Sequence, residues 1–212
     1  MSNEEYAVKK GVDKKKYDRI AFSYDLIENP MELLSYARWR SNAVNQACAA
    51  GKVLEVGVGT GKNLPYYCEN QQVFAVEISG KMLNRAKNRT AKSKALIYLI
   101  QMDAERLGFP DASFDASIST YVFCSVENPF IGLKEIRRVL KKDGIAVFLE
   151  HMRSENELVG KVMDLWNPFV SRMGPNIDRR TAQNIRNAGF EIVEETYLVS
   201  SIFRLIVAKP KI

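Results

Sequence analysis

Glu55, Gly57, Gly59 and Gly61 alternate through the stretch VLEVGVGTGKN, directly after an apolar run, and Lys62 follows the last glycine. A glycine turn of this kind brings a ligand against bare backbone, and spacing separates the chemistries that use one. A phosphate-cradling P-loop sets its first glycine five residues before the Gly-Lys pair and a Ser or Thr after it. Here those positions hold Val56 and Asn63, so Lys62 is no P-loop lysine and ATP is not expected to bind. A dinucleotide fingerprint needs glycine, or alanine in a variant, where Lys62 stands. What remains is ExGxGxG, whose acid would repel a pyrophosphate and suits a ligand carrying a cationic ammonium.

Other residues could do chemistry nearby. Glu77 ends the next apolar run, twenty residues after Gly57, the offset at which nucleotide-binding folds place an acid on the ribose. Asp103, after the third run, is open to two readings, a ligand acceptor or the cap of a turn. Asp115 reads as a turn residue at a strand entry. His151, the single histidine, ends the fifth run. It could take the proton that a primary amine sheds on becoming nucleophilic, or serve structure alone. Cys48, Cys68 and Cys124 are an odd set with no CxxC pair. Reduced thiols packed as small hydrophobes are expected, with no disulfide framework and no metal site.

These residues need elements to hold them. A chain of 212 residues, 46% hydrophobic and 26% charged, is long enough for one sizeable core and a single globular unit. The runs KVLEVG, QVFAVEI, ALIYLIQM, FDASIS and GIAVFLE read as five strands of a mostly parallel sheet, separated by helix-like or loop-like stretches. Asn29 and Pro30 can cap and start a helix, with Glu32 completing a capping-box-like arrangement, and Gly51 marks its end. Asn128 and Pro129 do the same for a helix with Phe130, Leu133, Ile136 and Leu140 on one face, ended by Gly144. Thr181 opens another, stopping at Gly189. FEIVEETYLV and FRLIVAKP are joined too closely for a helical crossover and should pair antiparallel. No apolar run approaches the roughly 18 residues of a membrane span, and MSNEEYAVKK lacks a signal peptide's apolar stretch, so a cytoplasmic chain is expected.

Four blocks, VLEVGVGTG, VFAVEIS with Met82, Leu83 and Ala86, QMDAERLGFPDASFD and LKEIRRVLKKDG, occur in the order and spacing of the class I S-adenosylmethionine-dependent methyltransferases. Over roughly residues 17 to 209 the chain resembles that family. The resemblance implies an α/β, Rossmann-like, seven-stranded, mostly parallel sheet with an antiparallel C-terminal hairpin and helices on both faces. It implies S-adenosyl-L-methionine as cofactor, with the backbone of Gly57, Gly59 and Gly61 against its methionine and ribose parts and Glu77 on both ribose hydroxyls. Asp103 and the Ala104 backbone would meet the adenine amino group and Met82 the adenine face, with core packing the other reading of Met82. Glu55, Ile78 and Thr120 complete the implied cofactor set.

Methyl transfer asks the protein mainly to align two reactants and exclude water, so the acceptor is read from the surroundings. STYVFCS lacks the acid-Pro-Pro-aromatic run of DNA and RNA amino-methyltransferases, and Cys124 has no neighbouring proline as in cytosine C5 enzymes, so no nucleic acid partner is expected. VLEVGVGTGKNLPYY, FCSVENP, FLEH and NIDRRT resemble bacterial phosphatidylethanolamine N-methyltransferases and thiol methyltransferase-like proteins. YDRIAFSYDLIE is similar to ubiquinone/menaquinone C-methyltransferases. The resemblance implies N-terminal tyrosines folded over the cofactor, nominating Tyr17 and Tyr24; core packing is the rival reading. The expected organisation is a basic, aromatic helical arm over residues 1–28 and a methyltransferase domain over 29–212 with a lid insertion at 152–180. In that insertion Leu158, Val162, Leu165, Trp166, Phe169, Val170 and Met173 recur at helical spacing, either packed on the sheet or facing an acyl or isoprenoid chain. Arg179 and Arg180 follow and could meet a lipid phosphate. Lys9, Lys10, Lys14, Lys15 and Lys16 interleave with Val8, Val12, Tyr17 and Ile20, a pattern that suits either an anionic membrane or a solvated arm. The expected partner is a phospholipid headgroup amine or similar amphiphile, acted on by a monomer that is peripheral at the inner membrane face. A quinone carbon, a thiol, and a noncatalytic cofactor-binding role are the alternatives.

Overall fold

Apolar runs too short to be helices and buried on both faces favour parallel strands, and the alternating direction of their side chains supplies a core to each side. The computed structural model describes residue 18 and residues 35–172 and 176–211. Its strands are β1 (Lys52–Val56), β2 (Gln72–Glu77), β3 (Leu96–Gln101), β4 (Phe114–Thr120), β5 (Leu140–His151), β6 (Phe190–Val199) and β7 (Phe203–Pro210). They form one sheet in the order β3-β2-β1-β4-β5-β7-β6. The first five run parallel, and β7 lies antiparallel between β5 and β6. The helices are α1 (Ala37–Asn45), α2 (Gly80–Thr90), α3 (Pro129–Val139), α4 (Glu157–Val170) and α5 (Thr181–Asn187).

Two apolar clusters cover the two faces. Leu54, Phe148 and Ile206 pack with Leu133 and Ile136 of α3 and Ile185 of α5, whereas Val53, Ile118, Val147 and Leu149 pack with Ala43 and Val44 of α1 and Leu83 and Ala86 of α2. Strand parity therefore sends Glu55, Thr120 and His151 to the α1 side and Glu150 to the α3 side. The loop before β4, which carries LGFPD, is fastened by Arg138 of α3. Its guanidinium donates to the Leu107 and Phe109 carbonyls at 2.8 Å each and pairs with Glu135 and Asp111. Asp115, the second residue of β4, ties the starts of β1 and β5, accepting from the Lys52 N–H and from Lys141.

Two expectations need correction. Gly144 does not end a helix: α3 stops at Val139 and Leu140 already pairs with Phe114 as β5 begins. Gly144 instead sits where the Asp115 and Lys141 carbonyls would stand 3.0 Å from any Cβ, so close packing explains the glycine. Cys48 and Cys68 are disulfide-bonded, with Cα atoms 5.7 Å apart, and only Cys124 is a free, buried thiol. The pairing follows from Gln71, whose amide donates to the Ala47 and Ala50 carbonyls while its oxygen accepts from Cys68 N, drawing the turn after α1 onto the turn after the Leu64–Tyr66 helical turn. Nothing in a twenty-residue separation announces that contact. The expected arm, with Tyr17, Tyr24 and the lysine cluster, and the helix start at Asn29 and Pro30 lie outside the described residues, as does Met173. No helix among the described residues is long and apolar enough to cross a membrane.

Candidate functional site

The glycine turn leaves β1 at the carboxyl edge of the sheet, the edge at which open α/β sheets bind ligands. The N–H groups of Gly57 and Val58 both donate to the Val76 carbonyl of β2, which folds the turn back over the sheet. Gly57 and Gly59 have φ of +70° and +55°, a region that side chains strain to enter. A Cβ on Gly57 would also collide with Val122, while the space before Gly59 is open. Glu77 ends β2 beside this opening. Its Oε2 accepts from Gly59 N at 3.2 Å and its Oε1 from Ser79 N at 2.9 Å. Burial raises its pKa above the ordinary value; the amides of Ser79, Gly59 and Ile78 oppose the rise and the charge of Asp18 adds to it. Asp18 accepts from the hydroxyl of Ser79, the residue that caps α2 through Met82 N. Ile78 adjoins the site, its carbonyl accepting from Gln101.

Behind the turn lies a polar network that the sequence did not announce. Asn63 donates to Glu55 Oε1 at 2.9 Å and to Thr120 Oγ1 at 3.1 Å, and Arg40 of α1 donates to Thr120 Oγ1 at 2.7 Å and Asn63 Oδ1 at 3.3 Å. All four residues are buried. Burial pushes the Glu55 carboxyl up to about 7, against the pull of Tyr67, Asn63 and the Arg40 charge. Thus Glu55 and Thr120 come together with each other beneath the glycine turn, on the side away from its open face. Arg40 also stacks over Tyr121, 4.9 Å from the ring centre.

Beside that ring is an aromatic wall: Tyr36 stacks on Tyr121 at 4.8 Å, and Phe203 meets Tyr36, Trp39 and Tyr121. His151 closes the wall, its ring edge-on to Phe203 at 5.0 Å. Its Nδ1 is buried without a hydrogen-bond partner among the described residues, and burial lowers its pKa from 6.5, which keeps the imidazole neutral at pH 7. Glu150 points to the other face and is fully buried. It accepts from the N–H groups of Val122 and Phe123 and from Ser119, fixing the loop after β4, and burial pushes it up to about 7. An acid inside the apolar run GIAVFLE was the one available sign of this residue.

Asp103 caps its own turn, accepting from Glu105 N at 2.9 Å, and Ala104 follows it against Gly132. Met82 is buried on the first turn of α2. Cys124 is a protonated thiol, raised by burial to about 12. No group of three or more His, Cys, Asp or Glu able to hold a metal ion occurs among the described residues.

The comparisons with known proteins agree with this fold. Residues 54–148 match the family described as a methyltransferase domain. A phosphatidylethanolamine N-methyltransferase of Cereibacter sphaeroides is 31% identical over 159 residues, covering 74% of this chain and 78% of that protein. A demethylmenaquinone methyltransferase of Thermotoga maritima is 30% identical over 164 residues, covering 73% and 70%. Among solved structures, an S-adenosylmethionine-dependent methyltransferase of Thermotoga maritima superposes with a TM-score of 0.70 at 22% identity, covering 94% of this chain and all of that one. The chain belongs to the class I S-adenosylmethionine-dependent methyltransferases. It is an enzyme with S-adenosylmethionine as its methyl donor, and the open glycine turn beside an amide-held carboxyl fits that donor.

Buried acids give the fold a characteristic pH dependence. Glu55 and Glu150 have folded values of about 7 against an ordinary 4.5, so between those pH values the folded chain binds more protons than the unfolded one. Their contribution to stability is complete below about pH 4.5 and is lost as pH rises through about 7. Glu77 has the same sign, and the lowered His151 the opposite one. The donor-free protein is expected to melt at higher temperature near pH 5 than near pH 8 in scanning calorimetry, with Glu150→Gln flattening the difference. A melting temperature that climbs over this range would contradict the buried-acid account.

Proposed function

We propose that this methyltransferase acts on the headgroup amine of a phosphatidylethanolamine-like phospholipid, or on a similar amphiphile, at a membrane surface. The observation that carries the reading is His151, a neutral imidazole at the carboxyl end of β5 whose buried Nδ1 has no hydrogen-bond partner among the described residues. An amine must shed a proton to expose its lone pair, and His151 is the side chain that takes it. A thiol or a quinol ring carbon also releases a proton on methylation, so His151 serves any of these acceptors and the amine is chosen together with the similarity to a named relative. The relative named as a phosphatidylethanolamine N-methyltransferase supports the same choice.

S-adenosylmethionine supplies an electrophilic methyl group on a sulfonium. In the proposed arrangement Glu77 accepts from the ribose hydroxyls, with its carboxyl oriented by Gly59 and Ser79. The bare turn of Gly57, Gly59 and Gly61 admits the methionine part. Glu55 holds Asn63 behind the turn and so supports its shape, and Thr120 holds Arg40 and Asn63 in register with it. Asp103, the Ala104 backbone, Ile78 and Met82 border the adenine. Tyr36, Tyr121 and Phe203 exclude water from the acceptor side, where a dry site strengthens every electrostatic contact. Tyr17 and Tyr24 are proposed to cover the cofactor.

Incubating the full chain with methyl-labelled cofactor and a total lipid extract tests the acceptor. Label is expected in an aminophospholipid headgroup, and label in a quinone ring or a low-molecular-weight thiol would replace this reading. For Glu77→Ala, calorimetry is expected to show cofactor affinity reduced about tenfold or more, because two charge-assisted hydrogen bonds at about 1.5 to 3 kcal/mol each exceed the roughly 1.4 kcal/mol that tenfold represents. Lys62→Ala should change it little, and unchanged affinity in Glu77→Ala would remove the ribose assignment. His151→Gln is expected to lower kcat while cofactor affinity stays close to that of the wild type. Equal kcat for both proteins from about pH 6 to about pH 9 would exclude His151 as the base.

A further inference from the structure

Helix α4 presents its apolar stripe outward. Leu158, Val162, Leu165, Trp166 and Phe169 are 77%, 56%, 72%, 58% and 64% exposed, while Gly160 and Met163 are its buried residues. Their spacing of four, seven, eight and eleven residues from Leu158 gathers them on one face about 16 Å long. The other reading of this stripe, packing against the sheet, is thereby corrected: the helix rests on small and polar contacts instead. Arg153, just after β5, lies under it, pairs with Asp164 and Glu157, and occupies the space a Cβ on Gly160 would need.

Charge is sorted around the stripe. At 100° per residue Lys161 and Arg172 fall along one border of the apolar face, whereas Glu157 and Asp164 are rotated further round, toward the inner side where Arg153 holds them. Arg172 folds back over the Phe169 ring, 5.8 Å from its centre, and donates to the Pro168 carbonyl, so its stem follows the apolar surface to a charged tip. Five large side chains on one helix face are far fewer than the roughly 20 to 30 residues that each partner of a standard protein interface contributes. An exposed tryptophan beside aliphatic residues with a cationic border fits the water–hydrocarbon boundary of an anionic bilayer.

The far end of α4 is tied to the candidate site. Asn167 Oδ1 accepts from Ile177 N, and Asn176 donates to the Cys124 carbonyl in the loop after β4. We infer that α4 is a membrane-docking helix which lies in the interfacial plane of an anionic bilayer, inserting Leu158, Val162, Leu165, Trp166 and Phe169 with Lys161 and Arg172 on the phosphates. Docking there sets the edge that carries His151 and the glycine turn beside the bilayer surface. The inference rests on the proposed lipid acceptor for its purpose, yet its test reads binding and needs no turnover.

Trp166 is exposed and Trp39 buried, so tryptophan emission reports on α4. The full-length protein is mixed with vesicles of phosphatidylglycerol and phosphatidylcholine, or of phosphatidylcholine alone, some carrying brominated acyl chains. With the anionic vesicles Trp166 emission is expected to shift to shorter wavelength and to be quenched by bromine, and high salt should weaken the effect. Leu165→Ser/Phe169→Ser, at two exposed positions, should bind these vesicles about tenfold less tightly at an unchanged melting temperature. Vesicle binding with an unshifted, unquenched Trp166 would place the contact elsewhere, on residues 1–34 for example, and overturn the inference. So would equal binding by the double variant, or a wild-type dimer that the double variant dissolves in sedimentation velocity. Docking without any labelled lipid product would instead leave α4's role standing and remove the acceptor reading.

Discussion

Because β1 hydrogen-bonds on both sides to strands that run with it, the carboxyl ends of β1, β2, β4 and β5 finish at one edge of the sheet. Each strand then leaves through a turn at that edge, which gathers the glycine turn, Glu77, Thr120 and His151 from last strand and first turn residues. The glycine turn follows β1, Glu77 ends β2, Thr120 ends β4, and Glu150 and His151 end β5. Parity divides them further. A shift of one residue in β5 would exchange Glu150 and His151 between the two faces, taking the acid from the loop amides and the imidazole from the aromatic wall.

The site is held rigid by buried polar groups that are costly to leave unpaired. A carboxylate in the interior loses several kcal/mol of hydration unless hydrogen bonds replace it. Glu150 recovers part of that loss from two backbone N–H groups and Ser119, and in doing so fixes Val122, whose side chain sits against Gly57. Glu55 recovers part of its loss from Asn63, and the link through Thr120 to Arg40 couples the glycine turn to α1. The loop after β4 and the glycine turn are thereby mechanically joined, although they come from different strands. A transfer reaction that depends on the alignment of two reactants needs that kind of coupling.

Around this rigid edge the surface is unequal. The sheet face under α3 is covered by a continuous apolar cluster, and Arg138 secures the LGFPD loop beside it. Among the described residues α4 turns the largest group of apolar side chains to solvent, while the edge strands β3 and β6 expose smaller ones, Leu96 and Tyr98 on the first and Val193, Tyr197 and Val199 on the second. A helix that stayed in water would lose little by polar substitutions at these positions, so the stripe is better understood through what covers it than through folding.

The amino-acid sequence alone determined the succession of five strands along the chain, the closing antiparallel hairpin, the cap at Asn128 and the glycine turn with Glu77, because these follow from local periodicity, spacing and turn chemistry. Family resemblance added the cofactor. What only the tertiary structure decided are contacts between residues distant in the chain. Arg40 meets Thr120 across eighty positions, Cys48 meets Cys68 because Gln71 draws two turns together, and Gly144 is set by a carbonyl from the neighbouring strand. The α4 stripe shows the difference most plainly. Its helical period was written in the sequence, but a period fixes which residues share a face and leaves the direction of that face to the packing of Gly160 on Arg153.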